Sequence, residues 1–345
     1  MKFRPFTSIP KLQKGNSCIK WGDYGQENTN PDLACNRLRE NVLKIGGKPK
    51  FQLSKKDSFF TIGSCFARGL EKTLCGKGLD VLSVSDKLAD WRTSRENVTP
   101  QGATNRYNTA SIANDFTWHA TDSGHFPDHA YVQVTDELYC DPHMNPTLGS
   151  APVAELKRRR LIWSEVFKTV LDADVVVLTL GMSEAWYDHK SELVCNSFVD
   201  ARAVKRDRDR FSAVILSAQD NLHNLEAVHE ILSQNGKPEV KIIVTVSPVP
   251  LIRTTTEHDI IVANQYSKSC LRTAAQEFAD QHDNVAYFPS YEIAMFSNPE
   301  LVWEPSDRRH VKGAFSMEIM KQFFNMYLGD MEFEKPKHKY SFRLG

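Results

Sequence analysis

Short, continuous apolar runs alternate along the chain with segments of helical apolar spacing, and this alternation constrains the fold more than any other feature. Val175–Leu180 and Lys241–Val246 have the character of strands buried on both faces, as parallel strands are. The segment between these runs repeats its apolar residues at helical spacing, at Leu222, Leu225, Val228 and Leu232. Strands and helices in this order predict a doubly wound α/β fold, with a mostly parallel sheet covered by helices on both faces.

The first predicted unit of this core is a strand, a tight turn and a helix. A strand is predicted over 58–62, Gly63 ends it, and apolar residues recur every four positions over 66–74. This succession is how an α/β unit begins. The charge-alternating segment 205–210 is interpreted as a solvated loop.

Two polar stretches lie outside the alternating pattern. The first 50 residues are irregular, and residues 84–150 are rich in Asn, Thr, Asp, His and Pro. Long irregular insertions in compact domains often carry binding function. We therefore expect an N-terminal extension over 1–50, a single domain over 51–330 with an insertion at about 84–150, and a basic tail over 331–345.

Composition excludes some classes of function. Lys plus Arg and Asp plus Glu number 43 each, so the basic excess typical of a nucleic-acid-binding protein is missing. No apolar run approaches the roughly 20 residues of a membrane span, and no secretory signal is recognisable. The seven cysteines form no Cys-x-x-Cys pair, which favours reduced thiols. We expect a cytoplasmic protein without nucleic-acid or membrane partners.

Ser64 and the Asp307/His310 pair are the candidates for chemistry. Ser64 follows the first predicted strand, at the sheet edge where α/β proteins bind ligands. The next helix would offer backbone N–H groups there that can stabilise an oxyanion, although a helix-capping serine is the simpler interpretation. Asp307 and His310 are three residues apart, so the carboxylate can orient the imidazole, unless both belong to an ordinary surface turn.

Four sequence blocks in a fixed order resemble the GSCFA family. They are Gly63–Ala67, which spells the family's signature, then 245–250, 287–292 and Asp307-x-x-His310. The family is similar to the SGNH/GDSL hydrolases, so the resemblance implies a flavodoxin-like three-layer α/β/α sandwich. It also implies that Ser64 is the nucleophile, His310 the general base and acid, and Asp307 the residue that orients His310.

The function implied by this resemblance is that of a serine esterase or O-acyltransferase. Its substrate would be an ester-linked acyl group, such as an O-acetyl group on a sugar or polysaccharide, and its chemistry would need no cofactor and no metal. The alternative is a non-catalytic carbohydrate- or ligand-binding module that retains the fold. That alternative is supported by the segment 181–184, where the wider superfamily has an Asn and this chain has none.

Several further residues are assigned provisional roles. We expect oxyanion donors from the Ser64 N–H, the Asn108 amide and the Ser183 hydroxyl, with turn formation as the alternative for Asn108. Glu184 and Trp186 are candidates for substrate binding, although the aromatic residue can equally be a core anchor. Cys65 is an alternative nucleophile. A metal site is a weaker interpretation of four histidines in the insertion, His119, His125, His129 and His143.

Overall fold

The computed structural model describes residues 5–23, 28–89, 91, 100–121 and 124–329, so the predicted basic tail over 331–345 lies outside the described residues. The strands in this part of the chain are β1 (Ser58–Gly63), β2 (Asp80–Val81), β3 (Val132–Gln133), β4 (Tyr139–Cys140), β5 (Val175–Leu180), β6 (Glu184–Asp188), β7 (Leu193–Val194), β8 (Phe211–Ile215), β9 (Lys241–Val246) and β10 (Val285–Phe288).

The α-helices are of very unequal length, from one turn to six. They are α1 (Ile9–Gln13), α2 (Ala34–Arg37), α3 (Cys65–Gly76), α4 (Thr109–His119), α5 (Val153–Phe167), α6 (Ala201–Arg206), α7 (Ala218–Asn235), α8 (Ile260–Gln281), α9 (Ser290–Met295), α10 (Pro299–Val302) and α11 (Gly313–Tyr327). Within the described ranges, no helix combines the length and apolar character needed to cross a membrane.

The central element is a five-stranded parallel sheet with the strand order β2-β1-β5-β9-β10. Counted along the chain, its strands lie in the order 2-1-3-4-5, which is the flavodoxin-like order. Helices flank the sheet, so the predicted fold class is confirmed: an α/β fold with the three-layer α/β/α arrangement. In such a sheet, the crevice for ligands lies beyond the carboxyl ends of the strands.

Strand β5 and helix α7 form where the sequence predicts them, because the apolar residues of each are buried and α7 begins at a capping residue. All six residues of β5 are buried, which explains its continuous apolar run. Helix α7 begins with a capping box, in which Ser217 accepts from the Asp220 N–H and Asp220 accepts from the Ser217 N–H. Its buried Leu225 and Val228 each contribute about 1.5–3 kcal/mol by leaving water.

The contacts divide the chain into two compact units. One unit is Ser54–Phe288, which holds the parallel sheet. The other combines the described residues among 5–53 and 289–329, so the predicted extension over 1–50 falls in it together with α9, α10 and α11. Within this second unit, the Leu53 N–H donates to the Tyr327 carbonyl at 2.8 Å and the Asn298 N–H to the Asn41 carbonyl at 2.9 Å. These bonds tie its two chain segments together.

The structure adds local detail to two sequence interpretations. Residues 205–210 are mostly exposed, as predicted, but α6 extends to Arg206, and Arg210 is buried just before β8 begins at Phe211. The segment 84–150 contains the buried helix α4 and the strands β3 and β4. Strands β6, β7 and β8 form an antiparallel sheet that the sequence pattern did not predict.

A buried charge cluster joins α4 and α5. Arg106 and Asp115 are fully buried, and Arg106 Nε donates to Asp115 Oδ2 at 2.6 Å. The same carboxylate oxygen accepts from Trp163 Nε1 at 3.0 Å. Arg160 makes a bidentate contact with Asp141 at 2.6 and 2.8 Å. The predicted insertion is therefore part of the core of the first unit.

Candidate functional site

The backbone turn that presents Ser64 depends on glycine. Gly63 has a φ of +142°, and a Cβ atom added to it would lie 2.1 Å from the Thr179 carbonyl oxygen. Only a residue without a side chain can end β1 in this way beside β5. Ser64 then takes an extended conformation, with φ −69° and ψ −179°, and α3 begins at the next residue.

The Ser64 hydroxyl is buried and makes no hydrogen bond to the described residues. The residue is 3% exposed, and its Oγ has no hydrogen-bond partner among the described residues. Ser64 occupies the N-cap position of α3 without making a side-chain cap bond, so the simple capping interpretation fails. Its N–H donates to the Thr179 carbonyl at 3.1 Å. The role of this N–H as an oxyanion donor stays a prediction.

Gly181 brings the end of β5 close to Ser64. A Cβ atom added at Gly181 would lie 3.2 Å from the Ser64 Cβ and 2.5 Å from the Tyr107 carbonyl oxygen. The Met182 N–H donates to that same carbonyl at 2.8 Å, which fixes the strand end against residue 107. A glycine is therefore required here by two close approaches, and the backbone at 181 borders the serine.

A buried lysine holds the same sheet edge together. Lys268 on α8 is 1% exposed. Its Nζ donates to the carbonyls of Gly181, Ser247 and Val249 at 2.6, 2.8 and 2.8 Å. Three acceptors match the three N–H bonds of an ammonium group. Lys268 therefore fixes the segments that follow β5 and β9.

Asp307 and His310 form a pair in the second unit. His310 Nδ1 lies 2.5 Å from Asp307 Oδ2, and Asp307 Oδ1 accepts from the N–H groups of Arg309 and His310 at 2.9 and 3.1 Å. These backbone N–H groups, and then the imidazole, hold the pKa of the Asp307 carboxyl well below its usual range. The carboxylate stays ionised and orients the ring.

The other ring nitrogen of His310 accepts from an arginine. Arg309 Nη1 lies 3.2 Å from His310 Nε2. Because a guanidinium can only donate, Nε2 carries no proton in this arrangement and Nδ1 carries it towards Asp307. This is the tautomer that a general base needs. The His310 side chain is 52% exposed.

The two side chains expected as oxyanion donors are engaged elsewhere. Asn108 caps α4, and its amide donates to the carbonyls of Cys195 and Asn196 at 2.9 and 3.4 Å. The Ser183 hydroxyl donates to the Ser267 carbonyl at 3.2 Å. Both residues are buried, so these bonds have no competition from bulk water. The contacts give both residues a structural role and leave neither a free donor.

The two residues expected to bind substrate lie on β6. Glu184 accepts from Thr254 Oγ1 and from the N–H and Oγ1 of Thr255 at 2.7–2.8 Å, so it fixes the loop before α8. It also lines a pocket of about 250 Å³ beside His258 and Tyr266. The ring of Trp186 packs edge-on against Phe198 at 6.3 Å. The substrate roles of Glu184 and Trp186 stay predictions.

The four histidines of the predicted insertion fall into two pairs. His125 and His129 are exposed. His119 and His143 are buried beside the charge cluster, where desolvation lowers the pKa of each imidazole to about 4. Cys65, the alternative nucleophile, is half-buried at the first position of α3 and forms no disulfide.

Fold and site together define a class: an α/β protein with a buried serine at the carboxyl edge of a parallel sheet, whose hydroxyl makes no hydrogen bond to the described residues. The chain belongs to the GSCFA family, whose model matches residues 58–323. No curated protein and no solved structure matches the chain.

Proposed function

We propose that this protein is a serine esterase or O-acyltransferase of the SGNH-hydrolase type, with Ser64 as its nucleophile. The observation that carries the proposal is the buried Ser64 Oγ without a hydrogen bond. Leaving a buried polar group unsatisfied costs about 1–3 kcal/mol, so such a group in a folded protein calls for an explanation. An attacking hydroxyl, which must exchange its proton and bond to substrate, supplies one.

The reaction takes two balanced steps. Ser64 Oγ attacks the carbonyl carbon of the ester while its proton passes to His310 Nε2, and the leaving alcohol then takes that proton as its C–O bond breaks. Water or a second hydroxyl group attacks the acyl-serine, gives its proton to His310, and releases Ser64 with a proton regained. Asp307 keeps the imidazole in the required tautomer throughout. The scheme requires Arg309 to release His310 Nε2.

The oxyanion donors of this proposal are backbone groups. The Gly181 N–H lies on the segment that borders Ser64, and the first N–H groups of α3 have no acceptor within their own helix. Donors of this kind stabilise the negative charge of the tetrahedral intermediate when they lie about 2.7–3.1 Å from it. They replace Asn108 and Ser183, which are bonded elsewhere.

The proposed substrate class is an O-acylated sugar or polysaccharide, which the likeness to SGNH/GDSL hydrolases favours. A binding module with the same fold is the second candidate. It is favoured by one observation, that both polar side chains expected to donate to an oxyanion are engaged in structural hydrogen bonds. Turnover of a simple ester separates the two candidates.

The experiment is hydrolysis of an aryl acetate by the wild-type chain and by Ser64→Ala. We expect Ser64→Ala to lower kcat/KM by at least about 1000-fold. Because the buried Ser64 Oγ makes no hydrogen bond to the described residues, its removal should not lower the melting temperature. His310→Ala should lose activity to a similar degree, since residues that act as one unit lose function together.

Two matched variants serve as controls. Ser183→Ala removes another buried hydroxyl of the same unit, one that is hydrogen-bonded, and should keep most of the activity. Cys65→Ser tests the alternative nucleophile and should remain active. Equal, slow hydrolysis by the wild type, Ser64→Ala and His310→Ala would instead support the binding module.

A further inference from the structure

A cluster of metal-binding residue types lies where α7 meets the end of α8. Glu226 and His229 are three residues apart on α7 and therefore share one face of that helix. His282 caps the C-terminus of α8, and Asn284 lies directly before β10. Helix α7 and the end of α8 thus bring two imidazoles and a carboxylate to one place, with the Asn284 amide beside them.

The donor atoms of this cluster are close together. His282 Nε2 lies 2.7 Å from Glu226 Oε2, and the rings of His229 and His282 stack with centroids 3.7 Å apart. One ligand atom from each of the three side chains lies within 4.8 Å of the others. Donors on a tetrahedral Zn²⁺ lie about 3.3 Å apart, given bonds of about 2.0–2.1 Å. Because imidazole nitrogens bind metals in the plane of the ring, binding of one ion requires the stacked His229 and His282 rings to rotate apart.

Two further features favour a cation over a simple His–Glu ion pair. Glu226 Oε1 is inaccessible to solvent and has no hydrogen-bond partner among the described residues, so this oxygen is able to bind a cation. Asn284 Oδ1 lies 3.1 Å from His229 Nε2 and offers an amide oxygen at the same place. Both side chains of the His282–Glu226 pair are largely shielded, at 22% and 32% exposure.

We propose that Glu226, His229 and His282 bind a divalent transition-metal ion of the Zn²⁺ class. Two imidazoles and one carboxylate are a known zinc ligand set, with water or the Asn284 amide as the fourth donor. The site lies before the first residue of β10, at the amino edge of the parallel sheet, whereas Ser64 follows the carboxyl end of β1. The ion is therefore structural: it joins α7 to the turn between α8 and β10.

The test uses Zn²⁺ and Co²⁺ added to EDTA-treated full-length protein. Calorimetry should show one Zn²⁺ per chain, and His282→Gln and Glu226→Gln should each weaken binding by at least about 10-fold. Zn²⁺ should raise the melting temperature of the wild type and not that of these variants. His223→Gln, an exposed histidine on the same helix, should bind as the wild type does.

Two results would overturn the proposal. One is the same Zn²⁺ affinity in the wild type, His282→Gln and Glu226→Gln. The other is a thiolate-to-Co²⁺ charge-transfer band, which would assign binding to the cysteines, since none of those described forms a disulfide. The variants should keep their hydrolytic activity towards an aryl acetate, so failure here is distinguishable from failure of the proposed catalytic role of Ser64.

Discussion

Two buried polar regions of the same unit differ in the charge of their groups. At the carboxyl edge of the sheet, the neutral Ser64 Oγ is buried without a hydrogen-bond partner among the described residues. In the cluster between α4 and α5, Arg106 faces Asp115 at 2.6 Å and Arg160 faces Asp141 at the same distance. Asp115 Oδ1 and Arg160 Nη1 also have no hydrogen-bond partner among the described residues, but they face each other as opposite charges at 3.6 Å. Buried charges persist in proteins when opposite charges compensate them, so the cluster serves stability, whereas no opposite charge compensates the serine hydroxyl.

Mutations in the two regions should therefore affect stability and activity differently. Changes in the charge cluster should lower the free energy of unfolding and leave the activity of the folded molecules intact. Changes at Ser64 should abolish activity without lowering the free energy of unfolding.

The largest loss of stability is expected from Asp115→Ala. The change leaves the buried guanidinium of Arg106 without its carboxylate, and breaking a buried ion pair costs about 3–5 kcal/mol. Urea unfolding of the purified variant measures the loss. Glu155→Ala breaks partly exposed pairs with Arg158 and Arg159 instead and should cost at most about 1 kcal/mol. Equal effects of the two variants would show that the cluster is not a stability element.

Acid should destabilise the same region. His119 and His143 have folded-state pKa values of about 4, below the unfolded value, because burial opposes the charged form of the imidazole. Among the neighbouring charges, Asp115 and Asp141 raise these pKa values and Arg160 lowers them. Between about pH 6.5 and 4 the unfolded chain binds more protons, so stability falls as the pH falls through this window. Each imidazole contributes roughly 3 kcal/mol to the fall.

Urea unfolding at a series of pH values between 7 and 5 measures the slope of the free energy of unfolding against pH. His143→Asn removes one of the two buried titrating rings and should make this slope smaller. A slope that is unchanged in His143→Asn would contradict the assignment to this histidine.

A smaller loss is expected from Lys268→Met. The apolar side chain leaves the carbonyls of Gly181, Ser247 and Val249 without their shared donor, which should cost about 2 kcal/mol. Because Gly181 borders Ser64, we also expect kcat to fall by about 10-fold or more while KM changes little. A loss of stability with unchanged kcat would limit Lys268 to a purely structural role.

Asn108→Ala should cost about 1 kcal/mol, the usual effect of losing a helix N-cap. Since its amide donates to Cys195 and Asn196, the kcat of the folded variant should match that of the wild type. Steady-state kinetics at a temperature where the variant is fully folded measures this. A drop in kcat on the order of 100-fold would instead indicate that Asn108 is an oxyanion donor.

The sequence predicted the parallel sheet well because its signals are local. The apolar runs of β5 and β9 and the capping box of α7 are each contained in one short segment. The position of Ser64 between a strand and a helix was readable for the same reason, since Gly63, Ser64 and Cys65 are neighbours.

The helix α4 and the strands β3 and β4 within 84–150 were not predicted, because several of the buried residues there are polar. Helix α4 buries Asp115 and His119 as well as its apolar residues, so its sequence has no clear apolar face. The roles of Asn108 and Ser183 depend on partners 87 and 84 residues away, Cys195 and Ser267, which no local pattern can reveal. The same is true of Lys268, whose three acceptors belong to other segments.

Labelling with a fluorophosphonate, followed by mass spectrometry of the peptides, tests directly whether Ser64 is the nucleophile. We predict one phosphonyl adduct on Ser64 and none in Ser64→Ala. Labelling should be greatly slowed in His310→Ala, because the histidine must take the serine proton. Adducts on Cys65, or labelling of Ser64→Ala at the wild-type rate, would contradict the assignment of Ser64 as the nucleophile.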